Sequence, residues 1–146
     1  MVEASPLAHK FEPFWTYEEA AEKTGLTVDD VRDAVYELSG LVTDFHRQRF
    51  HAEEELFVRL DKFWKQWDPP KDAVTVAAAL VNKSVDGDPA KVAKHLGWEA
   101  RRLNPALSYL QSHNHVKALR NMSGSDYVLV TMFATDATRR FVKSHQ

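Results

Sequence analysis

Apolar residues recur along much of the chain at the three- and four-residue spacing of helices that bury one face. The first such stretch opens with Thr16-Tyr17-Glu18-Glu19, a hydroxyl followed three residues later by a glutamate, which is the capping-box pattern. It predicts a helix through Ala20 and Ala21 to about Lys23, closed by a tight turn at Gly25. Thr27 and Asp30 form a second capping signature. Val28, Val31, Val35 and Leu38 then make a single buried stripe that ends near Ser39-Gly40. Residues 41–50 fit two readings, a short hairpin with Arg47-Gln48 at its tip or an irregular helical continuation. Helical spacing returns over residues 52–67, with Leu56, Phe57, Leu60, Phe63, Trp64 and Trp67 on one face. Glu53, Glu54 and Glu55 stand in its first turn, where they complement the positive end of the helix dipole.

Asp68-Pro69-Pro70-Lys71 interrupts the pattern, since two prolines cannot continue a helix, and we place a boundary there between residues 1–68 and 71–146. Beyond it an amphipathic helix is expected with Val74, Ala77, Ala78, Val81 and Val85 facing inward. Asp88-Pro89 supplies an N-cap and a first-position proline for a short helix through Val92, Ala93 and Leu96, ending at Gly97. A longer helix follows with Leu103, Leu107 and Leu110 as its stripe. Pro105 fits it only near the first turn, which starts this helix at Glu99 or later. Residues 116–120 and 127–133 then read as two strands joined by the polar, Gly124-containing loop of residues 121–126. A last short helix covers about residues 136–142.

A hydrophobic fraction of 44% and a charged fraction of 27% over 146 residues exclude a disordered chain and allow one ordinary domain or two very small ones. The absence of cysteine excludes a disulfide framework and a thiolate zinc site, and fits a reducing cytoplasm. Residues 1–6 lack the basic-then-apolar order of a secretory signal. The longest apolar run, residues 76–81, is far short of the roughly 20 residues that span a bilayer. A soluble, cytoplasmic protein without a membrane partner is expected. The net charge of −2 conceals an asymmetry: residues 1–70 hold 8 Lys and Arg against 15 Asp and Glu, and residues 71–146 hold 11 against 6. The second half is therefore suited to an anionic partner and the first is not.

Ala93 and Gly97, the run Arg101-Arg102-Leu103-Asn104-Pro105-Ala106-Leu107-Ser108-Tyr109-Leu110, and the hairpin at Gly124 together resemble the winged-helix DNA-binding superfamily. Ala21 and Gly25, followed by Val31 and Leu38, repeat the core signature, so the resemblance covers most of the chain as a tandem. It implies a mainly α fold with small β-hairpin wings in a tandem helix-turn-helix and winged-helix architecture. Residues 1–68 would form an acidic helix-turn-helix unit with a long amphipathic helix, and residues 71–146 a basic winged helix. In that superfamily the second helix of the motif enters the major groove. The resemblance thus assigns base reading to Arg101, Arg102, Asn104, Ser108 and Gln111, residue types whose donors and acceptors match base edges. Backbone contacts fall to Lys91, Lys94 and His95 on the preceding helix, to Lys117 and Arg120 at the base of the wing, to Asn121, Ser123 and Ser125 at its tip, and to Arg139 and Arg140 on the last helix.

The function this implies is transcriptional regulation through duplex DNA, with the acidic first unit forming a homodimer or recruiting a protein partner. The alternative is a winged-helix protein-interaction module within a larger assembly, without DNA binding, which the modest net charge and the acidic first unit favour. In that first unit Asp29, Asp30, Asp33 and Glu37 stand where bases would be read, beside Arg32 and Tyr36, and carboxylates facing phosphate are repelled. Phe57, Phe63, Trp64 and Trp67 are expected to be core, with an exposed recognition stripe as the second reading; Trp15 and Trp98 are likewise expected to pack. The pairs His46/His51 and His113/His115 match no metal motif, and His113 and His115 fall at a helix end that favours cations. No phosphate-binding glycine loop, Gly-x-Ser-x-Gly elbow or cysteine nucleophile is present. Neither an enzymatic activity nor a metal or other cofactor is expected.

Overall fold

The computed structural model describes residues 1–9, 14–122 and 125–146. β1 (Trp15–Thr16) runs straight into α1 (Tyr17–Thr24) because the Thr16 hydroxyl accepts from the Glu19 N–H (3.1 Å) while the Glu19 carboxylate accepts from the Thr16 N–H (3.1 Å). Gly25, at φ 74°, ends the helix in the left-handed conformation a side chain would disfavour. Thr27 and Asp30 repeat the reciprocal cap at the head of α2 (Val28–Glu37). Of the two readings for residues 41–50, the hairpin is the one formed. β2 (Val42–Phe45) pairs antiparallel with β3 (Arg49–Ala52), and β3 also pairs with β1, giving the order β1-β3-β2. His46 and Arg47 make the reversal, both left-handed at φ 55° and 57°. α3 (Glu54–Trp64) follows, and Tyr17, Val31, Val35, Val42, Phe50 and Leu56 form a core beneath these elements.

The Pro-Pro pair begins a helix as well as preventing one. α3 stops at Trp64, short of the expected Trp67, and Pro69 and Pro70 occupy the first two positions of α4 (Pro69–Val81), where a missing N–H has no intrahelical partner to lose. The expected inward stripe of α4 is out of phase. Ala73, Val76, Ala77 and Leu80 are buried, whereas Val74, Ala78 and Val81 are only half-buried. This helix packs against α3 and against the later helices of residues 100–112 and 136–144, so it is apolar around most of its circumference and the sequence marks no single face.

α5 (Pro89–Leu96) is capped by Asp88, whose carboxylate accepts from the Ala90 N–H (3.0 Å), and ends at Gly97. α6 (Ala100–Ser112) carries Leu103, Leu107 and Leu110 inward as expected, but Pro105 sits in its second turn, so the Arg101 carbonyl loses its regular backbone donor. β4 (Val116–Arg120) and β5 (Leu129–Ala134) form the second hairpin, with Val116 opposite Ala134 and a register shift between Leu119 and Arg120. Ser123 and Gly124, assigned to its turn, lie outside the described residues. On the other side of β5 the Met132 N–H donates to the Gly87 carbonyl (3.0 Å), and a Cβ at Gly87 would fall 1.7 Å from the Met132 oxygen. α7 (Asp136–Ser144) closes the chain and buries Phe141 in a second core with Val76, Val92, Leu103, Leu107 and Met132. Among the described residues no helix is long and apolar enough to cross a membrane.

Candidate functional site

α6 holds the side chains assigned to recognition, and four of them share one face: Arg101, Asn104, Ser108 and Gln111 follow one another at helical spacing. That face is buried at Arg101, Asn104 and Ser108 and half-buried at Gln111. It lies against α3 and the N-terminal segment, and each of the four side chains has a partner there or on the second hairpin. Arg101 is 5% exposed and Asp61, on α3, is 0% exposed. The guanidinium meets both carboxylate oxygens of Asp61 at 2.7 Å, donates its Nε–H to the Ser5 carbonyl (3.1 Å) and a further Nη2–H to the Val2 carbonyl (2.9 Å). Asp61 also accepts from the Trp67 indole (3.0 Å), and the Arg101 guanidinium lies 5.0 Å from the Phe57 ring centre. The planar fork suits a bidentate carboxylate, and the remaining donors go to the two backbone carbonyls.

The rest of the face is used in the same way. The Asn104 amide donates to the Leu7 and Asp126 carbonyls (both 2.8 Å) and accepts from the Val128 N–H (3.0 Å), tying α6 to the N-terminal segment and to the approach to β5. Ser108 donates to Glu54 at the head of α3 (3.1 Å). Arg120 reaches back from β4 to the same Glu54 carboxylate with both terminal nitrogens, and donates to the Gln111 side-chain oxygen (2.9 Å). Arg102, one position round the helix, is held bidentately by Asp72 (2.9 and 2.8 Å), a bond that raises its already high pKa. Its guanidinium stacks 4.1 Å from the Trp98 ring centre.

The expectation that Arg101, Arg102, Asn104, Ser108, Gln111 and Arg120 form a face open to DNA is therefore corrected by the geometry. Arg101, Asn104 and Ser108 are buried, and Arg102, Gln111 and Arg120 are half-buried in side-chain bonds. Arg101, Ser108 and Arg120 bond to the first half of the chain, the half expected to be a separate partner surface. The remaining assigned cations are exposed. Lys91 pairs with Asp86 (2.8 Å), which raises its pKa, and Arg139 pairs with Asp136 (2.8 Å), while Lys94, Lys117 and Arg140 have no ion-pair partner among the described residues. At the second hairpin's tip Asn121 is buried and Ser125 is exposed; Ser123 is outside the described residues. Asp61, Glu54 and Asp72 are the acidic partners of this face that sequence reading missed. The available signal was Asp61 itself, an acid within the apolar stripe of α3 between Leu60 and Trp64.

Two further surfaces stand out. Phe57 is buried and Trp67 half-buried, but Phe63 and Trp64 are 68% and 61% exposed at the end of α3, so the aromatic stripe expected as core is split between the two readings. Beside them a groove of about 490 Å³ is lined by Trp64, Lys65, Trp67, Trp98, Glu99 and Arg102. At the far end of α6, His113, His115 and His145 gather around Tyr109 and Phe141. The His115 ring stacks 4.0 Å from Phe141 and nearly parallel to His113 at 5.9 Å. Burial pushes the His115 pKa down, and the neighbouring His113 and His145 push it the same way. Among the described residues no group of three or more histidine or acidic side chains is arranged to hold a metal ion.

The element order, with small antiparallel sheets following α2 and α6, defines a mainly α protein. The sequence matches no family model and no curated protein. Among solved structures, the crystal structure of ScpB from Mycobacterium tuberculosis aligns with 99% of this chain and 89% of its own, at 12% identity and a TM-score of 0.32.

Proposed function

We propose that the chain is a protein-interaction module of winged-helix build, and not a regulator that reads DNA with α6. The observation that carries this reading is the state of α6: its arginines are held by Asp61 and Asp72, and its Asn, Ser and Gln are bonded within the molecule. To read bases, Arg101 would have to leave a buried bidentate pair and strand a fully buried carboxylate, a loss of several kcal/mol before any DNA contact formed. The corresponding helix of the first half, α2, exposes Asp29, Asp30, Asp33 and Glu37, which phosphate would repel. What the molecule does offer a partner is aromatic surface at Phe63 and Trp64, of the kind that anchors protein interfaces.

Gel-shift titration against duplex DNA at low and moderate salt tests the reading. The expected result is no retardation, or weak binding that vanishes with salt and with the triple variant Lys94→Ala/Lys117→Ala/Arg140→Ala, which removes exposed cations without disturbing the seam. Tight, sequence-selective binding by the native chain would overturn it. Arg101→Ala is unsuited as the DNA-binding control, because it would disturb the fold as well.

A further inference from the structure

We infer that the groove beside Trp64 is a self-association surface, filled by Phe63 and Trp64 of a second copy of this chain across a two-fold axis. The inference rests on the interaction-module reading and names the partner. Its first ground is shape. Phe63 and Trp64 project from the end of α3, and Trp64 also lines the groove, so protruding aromatic side chains stand beside a recess walled by Trp67 and Trp98 together with Lys65, Gln66, Glu99 and Arg102. A foreign partner would need only one of the two. A surface that carries both is complementary to itself, which is the requirement of an isologous contact, where each copy gives and receives the same insertion.

Charge is the second ground. Lys65 and Glu99 both line the groove, and among the described residues neither is in an ion pair. The Lys65 ammonium reaches only the Glu3 carbonyl (3.5 Å) and lies over the Trp67 ring. Glu99 stands at the N-cap of α6 yet makes no capping bond, and it has no ion-pair partner among the described residues. A two-fold axis through the groove brings Lys65 of each copy toward Glu99 of the other, so one rotation satisfies both charges twice.

The third ground is area. Large aromatic side chains cover roughly 150–250 Å² each, so Phe63 and Trp64 at their observed exposure supply roughly 200–300 Å² per copy, about a third of the roughly 800 Å² each partner contributes to a standard interface. The groove walls are also already rigid: Asp72 fixes Arg102 against Trp98, and Asp61 fixes Trp67, so little side-chain freedom is lost on association.

Sedimentation equilibrium from about 1 to about 200 µM is the test. The native chain is expected to show a reversible monomer–dimer equilibrium, and Phe63→Ser/Trp64→Ser to weaken it at least about tenfold. Both residues are mostly exposed, so circular dichroism of that variant should match the native chain and exclude unfolding as the cause. Lys65→Glu and Glu99→Lys should each weaken the dimer alone, and an equimolar mixture of the two should restore it as a heterodimer, because each copy then meets opposite charges. A native chain that stays monomeric throughout, or a dimer indifferent to the aromatic and charge variants, overturns the inference. Neither outcome touches the interaction-module reading, which fails instead on the gel shift.

Discussion

Arg101 illustrates how one side chain can carry opposite meanings at the two levels of description. In the sequence it heads a basic pair on a leucine-striped helix; in the fold it is buried, bidentate to Asp61, and wrapped by the Ser5 and Val2 carbonyls. Removing one member of such a pair leaves the other charged and desolvated. Arg101→Ala should therefore lower unfolding stability by about 3–5 kcal/mol, whereas Arg101→Met/Asp61→Leu should lose distinctly less than the sum of the single variants, as urea titrations around the full cycle will show. Additive effects would mean that the pair is not coupled. Gly87 is the second residue on which local geometry is decisive. A methyl group there would meet the Met132 carbonyl oxygen at 1.7 Å, and since the methyl carbon is fixed by its own backbone and the oxygen is backbone, no rotamer relieves it. Gly87→Ala should be destabilising by about 2 kcal/mol or more, with β5 displaced from the Gly87 carbonyl and amide exchange at Met132 accelerated. Wild-type exchange at Met132 in that variant would contradict this account.

Between elements, the sequence shows which residues share a face but not what that face meets. The spacing of Arg101, Asn104 and Ser108 was legible, and so were the capping boxes at Thr16 and Thr27, the glycine stops at Gly25 and Gly97 and the span of β4, because each is a local signal. The antiparallel match between α3 and α6 was not. Glu54 and Asp61 are seven residues apart on α3, Arg101 and Ser108 seven apart on α6, and Glu54 meets Ser108 while Asp61 meets Arg101. A polar stripe aimed at another polar stripe has the same periodicity as one aimed at water or at a polyanion. The α4 stripe failed for a related reason, since a helix packed on several sides has no phase to read. At the far end of α6 and α7 the histidine cluster makes the packing of these two helices sensitive to pH. The folded state holds His115 below its ordinary pKa, so the unfolded chain binds the proton first as pH falls. Stability is then complete above about pH 7 and declines through the ordinary histidine range until the folded-state pKa is passed. Urea midpoints should fall between about pH 7.5 and about pH 5.5 in the native chain, and fall less in His115→Gln. An equal fall in both would place the acid sensitivity elsewhere.

For the molecule as a whole, the charge asymmetry acquires a different explanation. Part of the excess of acid before residue 70 and of base after it is consumed within the chain, by Asp61 with Arg101 and Glu54 with Arg120. These two pairs, with the Asn104 and Ser108 bonds, join the two cores through groups that are costly to leave unpaired when buried. Each half on its own would expose an apolar helix face studded with unpartnered charge, so the halves should unfold together. In thermal unfolding, far-ultraviolet circular dichroism and tryptophan fluorescence, which samples Trp15 beside the first core and Trp98 beside the second, should give one coincident transition. The double variant Arg101→Ala/Arg120→Ala removes the ion pairs that Asp61 and Glu54 make with the second half while leaving the two apolar cores intact. It should separate the transitions, with the fluorescence and dichroism midpoints no longer agreeing. If the native chain already unfolds in two steps, the buried seam is a contact between independent bodies; if the double variant still unfolds in one, the apolar packing of α3 and α4 against α6 suffices to couple them without the ion pairs.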